Sequence, residues 1–180
     1  MNPVDVSIVI PAYNESGAIG DVVKGLLEGL PEAELLVIND GSSDDTGRFA
    51  REAGATVIEH DHNRGYGAAL RTGTLRATRD YVLFCDSDGQ HSVEDVGKLI
   101  DACDGHDMVV GERDRSSHVV HSRRPGKLIL RVFANHLAGE KIPDLNSGLR
   151  MLKRDVLEKY LHLMPTGFSF STTCTFAMLK

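Results

Sequence analysis

Cysteine is scarce in this chain: Cys85, Cys103 and Cys174 are the only three, scattered without C-x-x-C spacing. An odd, dispersed set suits neither a disulfide framework nor a thiolate zinc site, and it reads as reduced, mostly buried thiols of a cytosolic setting. Positive charge is not in excess either, since 20 Lys plus Arg stand against 26 Asp plus Glu for a net charge of −6. That balance is too acidic for a domain that grips nucleic acid by neutralising phosphates. Nowhere do the ~18 consecutive apolar residues of a membrane span occur, and Met1-Asn2-Pro3-Val4-Asp5 lacks the basic start of a secretory signal. Internal repeats and low-complexity segments are missing too. What remains is 180 residues, 41% of them hydrophobic and 26% charged, which suits one globular domain with a sizeable core.

Apolar runs and helical spacings alternate along that length. Val4 to Ala12 is a β-branched run and predicts a buried strand. Ile19, Val22, Val23, Leu26, Leu27 and Leu30 then recur at helical spacing, with Asn14 or Ser16 available as N-cap. Strands follow at Leu35–Asn39, Thr56–Glu59, Tyr81–Cys85 and Met108–Gly111, with helices at Asp45–Ala53, Gly67–Thr78 and Val93–Cys103 between them. Five strands separated by four helices predict right-handed βαβ units and an α/β fold, a mostly parallel sheet with helices on both faces. Beyond Gly111 the pattern changes to a polar loop, Arg113–Arg124, and a helix, Lys127–Ala138, with one apolar face. A polar turn then leads into a short strand, Leu149–Leu152, and a helix, Asp155–Leu163. Ser169 to Lys180 begins with capping residues and stops while still apolar, which predicts that 1–180 is a single domain truncated at its C-terminus.

In such sheets ligands bind at the carboxyl ends of the strands. Three of those ends carry acids: Pro11-Ala12-Tyr13-Asn14-Glu15, Asn39-Asp40-Gly41-Ser42-Ser43-Asp44 and Asp86-Ser87-Asp88-Gly89-Gln90-His91. Crowded carboxylates repel unless a cation or a donor-rich ligand joins them, so a divalent metal is the natural partner. Asp86 and Asp88, two residues apart directly after Val82-Leu83-Phe84-Cys85, can both reach one hard cation, and Gln90 can add an amide oxygen. A solvated acidic turn is the competing account. Asp40 can accept from a ribose hydroxyl or a base N–H, while Ser43 or Asp44 caps the next helix. Tyr13 can stack on a base and Glu15 can hold a ribose, or both can serve the loop and the helix dipole.

Other chemistries fit less well. Asn63-Arg64-Gly65-Tyr66-Gly67 has two glycines and follows the third strand, so it is no G-x-G-x-x-G dinucleotide fingerprint, and no Walker sequence is present. Its glycines are expected to provide a tight turn and close backbone approach at the start of a helix. His60 and His62, and His118 and His121, lack a third ligand; His91, beside the D-x-D pair, is the histidine to watch. Haloacid-dehalogenase-type phosphatases also carry D-x-D-G after a strand, but on the first strand and without a Gln where Gln90 stands.

IVIPAYNE at Ile8–Glu15, VINDGSSDDT at Val37–Thr46, NRGYGAAL at Asn63–Leu70, CDSDGQH at Cys85–His91 and DLNSGLR at Asp144–Arg150 together resemble the family 2 glycosyltransferases of GT-A fold. More narrowly, they are similar to the dolichyl-phosphate mannose synthases and bacterial polyprenyl-phosphate hexosyltransferases. The resemblance implies inverting, metal-dependent transfer of a hexose from a nucleotide sugar, of the GDP-mannose or UDP-glucose type, to a polyprenyl phosphate. It further implies that Pro11, Tyr13, Glu15, Ile38 and Asp40 line the nucleoside pocket, that Asp86, Asp88 and Gln90 hold Mg²⁺ or Mn²⁺ at the diphosphate, that Ser87 lies against the sugar nucleotide, and that Arg113 meets a donor or acceptor phosphate.

A polyprenyl phosphate is largely dianionic at neutral pH, so its transfer needs no strong base. A sugar hydroxyl acceptor is the alternative, with Asp144 as the candidate base; a non-catalytic nucleotide-sugar-binding fragment is another. The basic cluster Arg113, Arg115, Arg123, Arg124 and Lys127 suits a solvated surface or, at the strand-end face, contact with phosphates, and the helix Lys127–Ala138, with its apolar face and basic flank, suits either packing on the core or a membrane surface near the acceptor. A cytoplasmic location, or a peripheral one at the inner face of a membrane, follows. Two departures from the family pattern stand out: Asn39 replaces the more usual first Asp of Asp-Asp-Gly, and the chain ends before the basic residues that follow the Ser-Thr-Thr segment in relatives.

Overall fold

A computed structural model describes residues 5–111 and 147–178. Its elements in chain order are β1 (Val6–Ala12), α1 (Ile19–Gly29), β2 (Glu34–Asn39), α2 (Thr46–Glu52), β3 (Thr56–Glu59), α3 (Tyr66–Arg76), β4 (Tyr81–Phe84), α4 (Val93–Ala102), β5 (Met108–Val110), β6 (Arg150–Lys153), α5 (Arg154–Tyr160), a 3₁₀ turn (Leu161–Leu163) and α6 (Phe170–Met178). Six strands form one sheet in the order β3-β2-β1-β4-β6-β5. β1 pairs in parallel with β2 and β4, and β2 with β3. β6 runs antiparallel to both neighbours, inserted between β4 and β5.

β1 is buried along its whole length because helices cover both faces of the sheet. Its side chains therefore alternate between two cores. Ile8 and Ile10, with Leu35, Val37 and Leu83, pack on one side against Ile19, Val23 and Leu26 of α1 and Val96 and Ile100 of α4. Val9, with Leu36, Ile38, Val82 and Phe84, packs on the other side against Ala69 and Leu70 of α3, Leu157 of α5 and Phe170 and Cys174 of α6. Each of these large aliphatic or aromatic side chains contributes about 1.5–3 kcal/mol by leaving water. All three cysteines are buried and unpaired.

Two local expectations change. Neither Asn14 nor Ser16 caps α1, which starts instead with the Glu15 carbonyl accepting from Ala18 and Ile19 N–H. The two residues are committed elsewhere: the Asn14 carboxamide oxygen accepts Ser43 N–H, and Ser16 N–H goes to Asp44. α3 stops at Arg76 rather than Thr78, because Ala77 turns extended and Thr78 donates its backbone N–H and hydroxyl to Glu34. Among the described residues, no helix is long and apolar enough to cross a membrane.

From β1 the chain steps outward through β2 to β3, then crosses back to lay β4 on the other side of β1. This reversal opens a crevice at the carboxyl ends of β1 and β4, where open α/β sheets bind their ligands. The segments after Ala12, Asn39 and Phe84 all emerge at this end of the sheet.

Candidate active site

The loops after β1 and β2 are knitted together. Asn14 N–H donates to Ser42 Oγ (2.9 Å), Glu15 N–H to Thr46 Oγ1 (2.8 Å) and Ser43 N–H to Asn14 Oδ1 (2.8 Å). Asn14 adopts a left-handed backbone (φ 56°) to make this exchange, a conformation asparagine tolerates better than most residues. Asp44 accepts from Thr46 N–H, so it does anchor the start of α2 as expected. The hydrogen bonds from Thr46 and Ser16 lower its carboxyl pKa to about 2. The result is a fixed floor from which Tyr13 stands 48% exposed, with Glu15 half-buried beside it.

Asp40 is more deeply placed than the strand-end pattern implies. Its carboxylate, almost sealed from solvent, accepts from His60 Nδ1 (2.6 Å), Arg64 N–H (2.9 Å) and Gly65 N–H (2.8 Å). His60 Nε2 in turn meets Thr72 Oγ1 at 2.9 Å. Asp40 thus ties β2, the end of β3 and the start of α3 into one unit, in addition to any contact with a ligand. Pro11 and Ile38 lie side by side in the β1–β2 register and are both buried, Ile38 completely.

The D-x-D pair sits where β4 ends. Asp86 is half-buried, Ser87 buried, and Asp88 and Gln90 exposed. Asp88 Oδ1 accepts Gln90 N–H at 3.0 Å, so the hydrogen bond Gln90 makes here is through its backbone. The Asp86 carboxylate is held from three directions. Tyr66 donates its phenol to Oδ1 at 3.2 Å, His91 Nε2 stands 3.8 Å from Oδ2, and Gly148 presses its backbone so close that any Cβ there would collide with the carboxyl group. Burial foremost, together with the Asp86 charge, pushes the Tyr66 phenol well above its ordinary pKa, keeping it a donor. Burial first and then the charges of Asp86 and Asp88 push the Cys85 thiol up to about 12, which rules it out as a nucleophile.

These residues fit a divalent cation. Two carboxylates at one strand end, one lodged in a glycine-lined niche and one open to solvent, offer hard oxygens and leave positions for phosphate. Among the described residues no cluster of three or more His, Cys, Asp or Glu is placed to hold a metal, so no closed metal cage is present. The histidine pair is resolved for its first member: His60 turns to Asp40, while exposed His62 pairs with Asp61. Arg113, Asp144, His118, His121 and the helix expected over 127–138 lie outside the described residues.

Comparison with known proteins places this geometry in a family. Residues 7–161 match the family model "Glycosyl transferase family 2". The chain belongs to glycosyl transferase family 2. A Haloferax volcanii dolichyl-phosphate hexose transferase is 32% identical over 168 residues, spanning 92% of this chain and 73% of that protein. A Mycolicibacterium smegmatis polyprenol monophosphomannose synthase is 32% identical over 166 residues, spanning 84% of this chain and 63% of that protein.

A solved mycobacterial protein superposes with a TM-score of 0.79 at 25% identity, covering 94% of this glycosyltransferase chain and 59% of the solved one. Glucosyl-3-phosphoglycerate synthase from Mycobacterium tuberculosis, solved with Mn²⁺, UDP-glucose and phosphoglyceric acid, gives 0.77 at 24% identity and 94% and 63% coverage, a likeness of fold. The glycosyltransferase chain thus spans about six-tenths of these solved chains. Its sheet, flanked by helices on both faces, is the GT-A fold expected from the motifs.

The motifs do not name the partners that the structure supplies: Tyr66 and Gly148 at Asp86, Arg150 behind Gly148, and His60, weighed in the sequence as a metal ligand, at Asp40. Arg150 is completely buried, donating to the Ser147 and Ser171 carbonyls, and so ties the Gly148 segment to α6. The DLNSGLR motif contained two of these residues, but nothing in it named their partners.

Proposed function

We propose that this glycosyltransferase moves a hexose, with inversion, from a nucleoside diphosphate sugar of the GDP-mannose or UDP-glucose type to a polyprenyl phosphate. The observation that supports the reading is that the segments carrying Glu15, Asp40 and the Asp86–Asp88 pair leave the carboxyl ends of three parallel strands at one end of the sheet. The relatives named for dolichyl-phosphate hexose transfer and polyprenol monophosphomannose synthesis support the acceptor class.

Tyr13 offers the exposed ring against which the nucleobase stacks, Glu15 takes the ribose hydroxyls, and Asp40 fixes the loop that closes the nucleoside pocket over Pro11 and Ile38. Ser87, buried between the two acids, lies against the sugar nucleotide. Mg²⁺ or Mn²⁺ held by Asp86 and Asp88, with Gln90 as a further oxygen donor, would offset the charge that builds on the leaving diphosphate. Arg113 supplies positive charge to the same phosphates or to the acceptor. An acceptor phosphate with a second pKa of about 6 is mostly dianionic at pH 7 and attacks without a base. Asp144 would be required as base only for a hydroxyl acceptor. A lipid acceptor also brings the chain to a membrane surface.

Incubating the protein with labelled UDP-glucose or GDP-mannose, Mn²⁺ and vesicles containing a polyprenyl phosphate tests this directly. Label should enter the lipid fraction. Transfer only to a sugar hydroxyl, or donor binding without any transfer, would overturn the acceptor assignment. Asp88→Ala should abolish Mn²⁺-dependent nucleotide binding while leaving the circular dichroism unchanged; retained affinity would show that the site lies elsewhere.

A further inference from the structure

Tyr66 occupies a position that catalysis as described does not use. It is the first residue of α3, and glycines flank it on both sides. Gly65 has φ 98°, a left-handed conformation that a side chain would strain, and a Cβ on it would sit 2.7 Å from the Thr166 carbonyl oxygen. Gly67 lies so close to the Pro165 carbonyl that a Cβ there would collide with it, and Ala68 N–H donates to the Thr166 carbonyl at 3.1 Å. The 165–168 segment therefore lies directly across the start of α3. It carries Phe168, whose ring stacks on Tyr66 with centroids 5.3 Å apart and planes 19° from parallel. Phe168 is otherwise 82% exposed, an unusual position for so large an apolar side chain. The Tyr66 ring is held on one side by Phe168, the two glycines beside it let the 165–167 backbone approach closely, and its hydroxyl is aimed at Asp86 Oδ1.

We propose that Tyr66, braced by Phe168, is a positioning residue for the metal and diphosphate site: its phenol sets the orientation of the Asp86 carboxylate. The assignment rests on the reading of Asp86 and Asp88 as that site. The physical reason is that an aspartate carboxylate turns about its Cα–Cβ and Cβ–Cγ bonds, and that freedom is lost when a cation binds. A hydrogen bond to one oxygen narrows those rotations and fixes the plane of the carboxylate before a cation arrives. Gly148, having no side chain, leaves the space that the Asp86 carboxyl occupies, and Tyr66 holds one of its oxygens. Such supporting contacts are worth about 10–100-fold in metal affinity. Asp88 is exposed, and among the described residues its carboxylate accepts the Gln90 N–H, so the preorganised half of the pair is Asp86.

The test is Tyr66→Phe, which removes the hydroxyl but keeps the ring and its stack on Phe168. Mn²⁺ binding to the full chain, followed by electron paramagnetic resonance with UDP or GDP present, should weaken by about 10–100-fold. Transfer activity lost at low Mn²⁺ should return when Mn²⁺ is raised, a rescue that a general loss of structure would not show. Phe168→Ala should weaken Mn²⁺ binding in the same direction but less. Unchanged Mn²⁺ affinity in a folded Tyr66→Phe protein, or an activity loss that excess Mn²⁺ does not restore, overturns the positioning role alone. Wild-type protein that binds no Mn²⁺ overturns the reading of Asp86 and Asp88, and the positioning role with it.

Discussion

His60 and Asp40, 20 residues apart in sequence, meet at 2.6 Å with both side chains almost sealed from solvent. A carboxylate can only accept, so the proton lies on His60 Nδ1, and the Thr72 hydroxyl at Nε2 completes the imidazole's hydrogen bonding. The pair joins the ends of β2 and β3 and passes the constraint to α3.

His60→Phe should therefore destabilise the fold by about 1–3 kcal/mol, because it leaves a buried carboxylate short of a donor. For a chain of this size that corresponds to a melting temperature lower by roughly 2–4 °C per kcal/mol. His60→Asn, which can still donate to Asp40, should recover part of the loss. Calorimetry of the three proteins decides the matter; equal melting temperatures would show that Asp40 is held by the Arg64 and Gly65 amides alone.

Gly148→Ala places a methyl group where the Asp86 carboxylate now lies. The carboxylate has to swing away from Tyr66, so Mn²⁺-dependent nucleotide binding should fall by more than about 10-fold. The far-UV circular dichroism should stay the same, since residues 147–149 lie just outside β6. Titration calorimetry with UDP or GDP, with and without Mn²⁺, separates the metal-dependent loss from a general one.

Asn39 donates Nδ2 to Glu59 Oε2 at 2.6 Å, and Glu59 also pairs with Arg51. The amide is thus matched to an acid on the next strand. Asn39→Asp turns this hydrogen bond into a contact between two carboxylates and should cost about 1–2 kcal/mol at pH 7. Repulsion raises the folded-state pKa of the acid pair, so the folded protein holds the extra proton longer than the unfolded chain. Stability of the variant relative to wild type should then fall as pH rises through the carboxylate range and recover below about pH 4. Adding Glu59→Gln should restore it at pH 7. Urea titrations from pH 3 to 8 on the single and double variants provide the check.

Asp44 shows the opposite sign. Its pKa is lowered from 3.8 to about 2, chiefly by the Thr46 hydroxyl and then by hydrogen bonding with Ser16. A depressed acid stabilises the fold above its unfolded pKa, and that contribution disappears as pH falls through the folded value. The stability gap between wild type and Asp44→Ala should be constant above about pH 5 and close between about pH 4 and 2. A gap that stayed constant down to pH 2 would mean that the carboxylate charge plays no part in holding the 13–16 loop to α2.

Much of the fold was legible because its causes are local. Continuous apolar runs such as Val6–Ala12 mark strands buried on both faces, and the spacing of Ile19, Val23 and Leu26 marks the inner face of α1. Helix ends were less legible. Asn14 and Ser16 look like caps in sequence, but the neighbouring loop competes for the same groups, and its offer depends on distance in space. The acid-bearing strand ends were also visible, since parallel strands bring every carboxyl end to one side. Their surroundings were not: Asp40 proved buried against His60, and Asp86 is gripped by Tyr66 and Gly148.

The sequence by itself determined the alternation of strands and helices, the alternating two-sided core and the five motifs that place the chain among the family 2 glycosyltransferases. Periodicity and short motifs are properties of neighbouring residues, so no folding calculation is needed to see them. Only the tertiary structure decided that β6 enters antiparallel between β4 and β5, that Phe168 stacks on Tyr66, and that Arg150 ties Ser147 to α6. Those relationships join segments separated by tens of residues. They depend on which backbones approach closely enough to exclude a Cβ or share a hydrogen, and that is fixed only when the whole sheet and both helical layers have closed around it.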